Sequence, residues 1–203
     1  MRYMPIILGI LTQSLGGCAP AAAREPVPVV HRKPAPNEPH ETAILAGGCF
    51  WGMENVLRRA PGVIDIEVGY AGGPSPSVSY EQVSGGGTGH AESVRIVFDP
   101  TKLSYEALLA HWFFRSHDPT TKDRQGNDVG SQYRSAIFAT SDAQLRAAEA
   151  VKKRVDESGK WGRPVVTEIV PATTFVTAED YHQDYLVKHP DGYNDHYLRD
   201  FDF

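Results

Sequence analysis

The sequence predicts an α+β sandwich with helices packed on one face of a mixed sheet. Apolar residues alternate with polar ones at Ile64, Ile66 and Val68, and again at Val94, Ile96 and Phe98, the period of half-buried strands. Helical spacing appears instead at Phe50, Met53 and Leu57, and at Leu108, Leu109, Trp112 and Phe113. The order strand–helix–strand occurs twice, with a further helix and strand after it, which is a split βαβ arrangement.

The elements follow one another from residue 42. Thr42 to Ala46 is a short apolar strand, and the helix that starts near Cys49 ends at Arg58 and Arg59, before Ala60-Pro61-Gly62. Val63 to Tyr70 is the second strand, and Gly72-Gly73-Pro74-Ser75-Pro76 leaves it as a loop. Tyr80 to Val83 reads as a short helix and Ala91 to Phe98 as a strand ended by Asp99-Pro100. Ser104 caps a helix reaching about Arg115. His117 to Arg134 carries Pro119, Gly126, Asn127, Asp128 and Gly130 without periodicity, and loops of that length inside a domain are usually functional or disordered. Ser135 to Ala139 is a strand, Ser141-Asp142 opens a helix to about Glu157, and Val165 to Val170 is a final core strand. Thr177 is expected to cap a short helix over residues 178–185.

The chain has 203 residues, enough for one domain with a real core plus an appendage. Residues 1–17 read as an export signal: Arg2 supplies the positive start, and Pro5 to Leu11 is an apolar run too short to span a bilayer. Leu15-Gly16-Gly17-Cys18 resembles a bacterial lipoprotein box, in which Cys18 becomes the lipidated first residue of the mature chain. Cleavage after Ala21-Ala22-Ala23 and a retained anchor are the alternatives. In residues 18–40, six of the fifteen prolines fall between Pro20 and Pro39, making a semi-rigid spacer, so the folded domain is expected at 41–203. The expected location is the bacterial cell envelope, lipid-anchored on the periplasmic side. Ala19 after the cysteine, and not aspartate, favours the outer membrane. A net charge of −5 without a Lys/Arg run argues against nucleic acid as a partner, and a monomer is expected.

Ala46-Gly47-Gly48-Cys49-Phe50-Trp51-Gly52 is where strand pattern gives way to helix pattern. Cys49 therefore stands near the first turn of a helix, where free N–H groups and the dipole favour a thiolate. Such placement can lower a cysteine pKa from about 8.5 to roughly 3.5–7.5. Gly47 and Gly48 let the backbone turn and leave room for close approach to the sulfur. Cys49 is read as a nucleophile.

GCFWG, from Gly48 to Gly52, resembles the signature of the peptide methionine sulfoxide reductases of the A type. The resemblance continues through Gly69-Tyr70-Ala71-Gly72-Gly73, Gly89-His90-Ala91-Glu92, Gly126-Asn127-Asp128 and Ser131-Gln132-Tyr133-Arg134-Ser135 to Glu179-Asp180-Tyr181-His182-Gln183. It implies a ferredoxin-like core with long active-site loops and reduction of methionine S-sulfoxide, free or in proteins. Thiol reduction of a sulfoxide needs a nucleophile, a proton source for the departing oxygen, and a dry pocket for the methyl group. Cys49 supplies the first, and Phe50 and Trp51 the last. The resemblance makes Glu92 the acid, its pKa raised by partial burial. It makes Tyr80, Asp128 and Tyr133 the residues that hold the sulfoxide oxygen and order water. His90 is expected to be structural.

Many members of that family carry a second cysteine near the carboxyl terminus, often after Gly-Tyr. Here Gly192-Tyr193 is followed by Asn194, the loop position after Tyr80 is Ser84, and no cysteine follows Cys49. A sulfenic acid on Cys49 therefore needs an external thiol: thioredoxin, a glutaredoxin-type protein or a small thiol. No metal or organic cofactor is indicated; His182, His189 and His196 are seven apart, but Pro190 and Gly192 keep them off one helical face. Two other readings stand beside this one. A cysteine hydrolase or acyltransferase would pair Cys49 with His90 or His182, and a surface lipoprotein would only bind or scaffold.

Overall fold

The computed structural model describes residues 31–201 and 203. The export signal of residues 1–17, the lipidation site Cys18 and the proline spacer up to residue 30 lie outside the described residues. The fold begins with β1 (Glu41–Gly47), α1 (Phe50–Leu57), β2 (Val63–Ala71), α2 (Tyr80–Ser84) and β3 (Ala91–Phe98). Helix α3 follows, running as α over Tyr105–Ala107, as π over Leu108–Phe113 and as α again over Phe114–Ser116. After it come β4 (Arg124–Gln125), β5 (Asp128–Val129), β6 (Ser135–Ala139), α4 (Asp142–Glu157), β7 (Glu168–Pro171), β8 (Val176–Thr177) and α5 (Tyr185–Lys188).

The main sheet has the order β7-β6-β1-β3-β2-β8. Only β6 and β7 pair in parallel; the other neighbours are antiparallel. Its centre, β6-β1-β3-β2, is the ferredoxin-like order, built from β1-α1-β2 and β3-α3-β6. Leu45, Val68, Val94, Ile96 and Ile137 bury themselves on one face with Met53 and Leu57 of α1, Leu109 and Phe113 of α3, and Val151 and Val155 of α4. Ile44, Ala46, Ala136 and Phe138 point to the other face, which Ala172 and Phe175 cover. Burial of that order, at about 25 cal/mol per Å² of apolar surface, is the main force holding helices to sheet.

The helix starts follow their capping residues. Ser104 Oγ accepts from Ala107 N–H, and Ser141 Oγ from Gln144 N–H, satisfying donors left free in a first turn.

Three expectations need correction. Residues 178–185 are not a helix: Val176–Thr177 is strand β8, turns follow, and helix begins only at Tyr185. The Gln183 amide explains this, because it accepts from Val68 N–H and donates to Val68 and Ala178 carbonyls, extending the edge of β2 with a side chain. The stretch 117–134 is not featureless; β4 and β5 pair as a hairpin, and residues 131–133 make a 3₁₀ turn. The last long strand is β7 at 168–171, an edge strand with mostly exposed side chains and not a core one.

The chain ahead of β1 lies against the domain at His31. Its Nε2 is 2.7 Å from Asp184 and its Nδ1 3.3 Å from Asp65.

Candidate active site

The register of the sheet brings the chemistry together. Leu45 pairs with Val94, so antiparallel stepping carries the end of β1 level with Glu92 at the start of β3. Glu92 also pairs with Tyr70 on β2. Gly48, with φ +102°, turns the chain out of the sheet, and Cys49 becomes the N-cap of α1. A Cβ on Gly48 would stand 2.4 Å from Gln125, and one on Gly47 2.9 Å from His117. The space beside these glycines is thus filled by the protein's own side chains, and is not an approach to the sulfur.

Cys49, Phe50, Trp51, Tyr80, Glu92, Asp128, Tyr133 and Tyr193 line one cavity of about 100 Å³. Every residue named from the sequence for catalysis or substrate binding is among them. Cys49 is 7% exposed and Glu92 2%. Phe50 N–H donates to Glu92 Oε2 at 3.1 Å, leaving the other carboxyl oxygen for a proton. Burial pushes the Glu92 pKa up to about 8, Phe50 N–H opposes the shift, and the charge of Asp128 adds to it. Near neutral pH this environment favours the protonated form of Glu92.

The expected thiolate is not what this environment favours. Burial pushes the Cys49 thiol up first, and Glu92, Asp128 and Asp195 add to it, against one lowering contact from Trp51 N–H. A single helix N-terminus is outweighed by desolvation among carboxylates. The resting site therefore favours the thiol form of Cys49 over the thiolate. Burial likewise raises the Tyr80 and Tyr133 phenols, with Glu92 next, so both stay protonated donors aimed at the cavity. A buried thiol, a protonated carboxylic acid, two phenols and two aromatic faces can protonate an oxygen, attack a sulfur and close on a methyl group.

Among the described residues no hydrogen bond joins Cys49 to either histidine proposed for acyl transfer. His182 Nδ1 accepts from Trp51 Nε1 at 3.1 Å, and His90 Nε2 meets the Ser75 carbonyl at 3.1 Å.

A family model described as peptide methionine sulfoxide reductase matches residues 41–201. The peptide methionine sulfoxide reductase MsrA of Nocardia farcinica is 55% identical over 157 residues, 77% of this chain and 89% of that protein. The chain belongs to the peptide methionine sulfoxide reductases of the A type. Reduced Mxr1 from Saccharomyces cerevisiae has a fold matching with a TM-score of 0.76 at 43% identity, covering 83% of this chain and 96% of that one. Mxr1 in complex with Trx2 matches with a TM-score of 0.56 at 29% identity over 83% and 96% of the two chains. The protein is an oxidoreductase that reduces methionine sulfoxide.

Around the cavity of this reductase stands a frame that the sequence reading missed. Glu179 accepts from Tyr80 N–H and from Tyr70 Oη, both at 2.9 Å, and so holds the Tyr80 wall. His182 takes the Trp51 indole N–H and packs its ring 4.5 Å from Tyr80 and 5.0 Å from Phe50. Tyr185 stacks on Trp51 at 3.8 Å. Buried Arg58 then ties Asp184 to Glu54, at 2.7 and 3.0 Å, which fastens this segment to α1. The motif Glu179 to Gln183 was visible as family resemblance, but its partners lie about a hundred positions away.

Tyr193 was also missed as a lining residue; its hydroxyl donates to Asp128 at 3.2 Å. The tail beyond it folds back on the nucleophile loop. His196 Nε2 donates to the Gly47 carbonyl at 2.7 Å, and Asn194 Oδ1 lies 2.7 Å from where a Cβ on Gly52 would stand. Cys49 is the free cysteine among the described residues.

Proposed function

We propose that this reductase acts on the S epimer of methionine sulfoxide through a sulfenic acid on Cys49, which an external thiol returns to the thiol. The observation that carries the reading is the meeting of buried Cys49 and buried Glu92 at the first turn of α1, inside an aromatic cavity. Phe50 and Trp51 enclose the substrate methyl, while Tyr80, Tyr133 and Asp128 orient the oxygen directly or through water.

Glu92 gives its proton to the sulfoxide oxygen as Cys49 Sγ bonds to the substrate sulfur. The Cys49 proton passes to the carboxylate that Glu92 has become, so the nucleophile is generated in the complex and not before it. The substrate S–O bond and the new bond between Cys49 Sγ and the substrate sulfur then both break: the hydroxyl oxygen moves onto Cys49 Sγ as a sulfenic acid, the electron pair stays on the substrate sulfur, and methionine leaves. An incoming thiol forms a mixed disulfide with Cys49 and releases water. A second thiol then frees Cys49 and leaves as a disulfide. The reductant is read as a thioredoxin-type protein, supported by the complex of the yeast relative with Trx2. No prosthetic group enters these steps.

We place the enzyme in the bacterial envelope, anchored through Cys18 and held off the membrane by the proline spacer, where it repairs oxidised envelope proteins. The support is the Leu15-Gly16-Gly17-Cys18 run. Intact mass of the mature protein decides between this and a chain starting after Ala23.

The deciding experiment on activity is turnover of separated R and S sulfoxides with a small thiol as reductant. The S epimer alone is expected to react; failure on both overturns the proposal.

A further inference from the structure

We propose that the rim of the cavity selects methionine sulfoxide flanked by apolar residues in an extended polypeptide, through Val129, Tyr181 and Tyr193. The proposal rests on the sulfoxide reading above and extends it to the sequence around the oxidised residue.

The cavity sets the first condition. About 100 Å³ holds the end of one methionine side chain and little more, so the main chain and neighbours of the substrate must lie outside, across the mouth. Around that mouth the surface carries large apolar groups in the open. Val129 is 67% exposed and directly follows the lining residue Asp128 in the β4–β5 hairpin. Tyr193 lines the cavity and is still 42% exposed, its hydroxyl fixed by Asp128. Tyr181 is 56% exposed and packs 4.2 Å from the His182 ring, beyond the Tyr80 wall. Val129 and Tyr193 thus lie on the Asp128 side of one small pocket and Tyr181 on the Tyr80 side, the two tyrosines held by Asp128 and by the His182 ring. Exposed apolar groups gathered at a concave site mark a binding surface more often than chance exposure does.

Charge supplies the second condition. No lysine or arginine lines the cavity among the described residues, whereas Asp128 stands in its wall. A free amino acid would bring its carboxylate to the mouth beside Asp128, a like charge. A peptide offers neutral amides at the same places, and its flanking side chains reach the rim. Polar or acidic flanks leave Val129, Tyr181 and Tyr193 without apolar cover and add repulsion from Asp128. Covering about 55 Å² of apolar surface on the rim corresponds to about a tenfold preference.

The test compares three substrates of the S epimer: a blocked single residue, a pentapeptide with leucines flanking the sulfoxide, and one with serine and aspartate flanking it. The leucine peptide is expected to have the higher kcat/KM, by about tenfold over the polar peptide, mostly through KM. Val129→Ser combined with Tyr181→Ser is expected to bring that ratio close to one. Equal kcat/KM for the two peptides in the unchanged enzyme overturns the rim proposal alone, because turnover itself persists. A ratio that survives the double substitution also overturns it. No turnover of any of the three substrates overturns the reaction assignment on which it rests.

Discussion

The backbone N–H of Phe50 donates to Glu92 Oε2 across 3.1 Å, so the proposed acid is gripped by the first turn of the helix that carries the proposed nucleophile. One contact thus couples the sheet to the helix and fixes proton donor and sulfur relative to each other.

Replacing Glu92 with glutamine keeps an acceptor for Phe50 N–H but removes the acidic proton. Sulfoxide reduction is expected to fall by about 10²–10⁴-fold in kcat, with substrate binding little changed. Steady-state kinetics on a blocked methionine sulfoxide measures it, and a rate within twofold of wild type removes Glu92 from the mechanism.

The same group gives a pH dependence with a definite sign. Its pKa is raised to about 8 in the folded protein, so the acid is available below that value. The rate of the sulfoxide step is expected to decline as pH rises through about 8. Stability follows the same direction. A carboxyl with a raised folded pKa favours the fold fully below its unfolded value near 4.5, and that contribution is lost as pH rises to about 8. Glu92→Gln is therefore expected to be more stable than wild type near and above neutrality, by on the order of 2–4 kcal/mol, a difference that grows as pH rises from about 4.5 to about 8 and raises the melting temperature with it. A melting difference that is flat with pH contradicts it.

Glu179→Ala frees two hydrogen bonds that hold the cavity, from Tyr80 N–H and Tyr70 Oη. Each unpaired donor costs about 1–3 kcal/mol, and kcat/KM for sulfoxide is expected to fall about 10–100-fold. Alkylation of Cys49 by a small reagent should stay near the wild-type rate, since Glu179 does not touch the sulfur. Alkylation that becomes faster as activity is lost marks general unfolding instead, because unfolding exposes the buried thiol.

Asn194→Cys is expected to create the internal route that this chain lacks. Asn194 stands against Gly52, and residues three apart on a helix are surface neighbours, so a thiol at 194 is brought beside Cys49. After one turnover the variant should be two hydrogens lighter than its reduced form. A trapped sulfenic acid in the variant shows that the tail does not reach.

Much of this was legible because the signals were local. Cys49 at a strand-to-helix junction follows from a few adjacent residues, and the alternation of β2 and β3 gives the two strands that place Glu92. What the sequence did not disclose depends on distant partners. Glu179, His182 and Tyr193 act through Tyr80, Trp51 and Asp128, all far away in the chain. The helix expected at 178–185 fails because Gln183 spends its amide on β2. The thiolate expectation counted the helix N-terminus, which is local, and could not count burial beside Glu92, Asp128 and Asp195, which is not.

The central claim is that one thiol does the chemistry and waits for an external partner. One equivalent of methionine S-sulfoxide is added to reduced enzyme without reductant, followed by dimedone and intact-mass analysis. One methionine released per chain and one dimedone adduct on Cys49 is the result predicted. An unlabelled chain two hydrogens lighter, joined through Cys49, contradicts it.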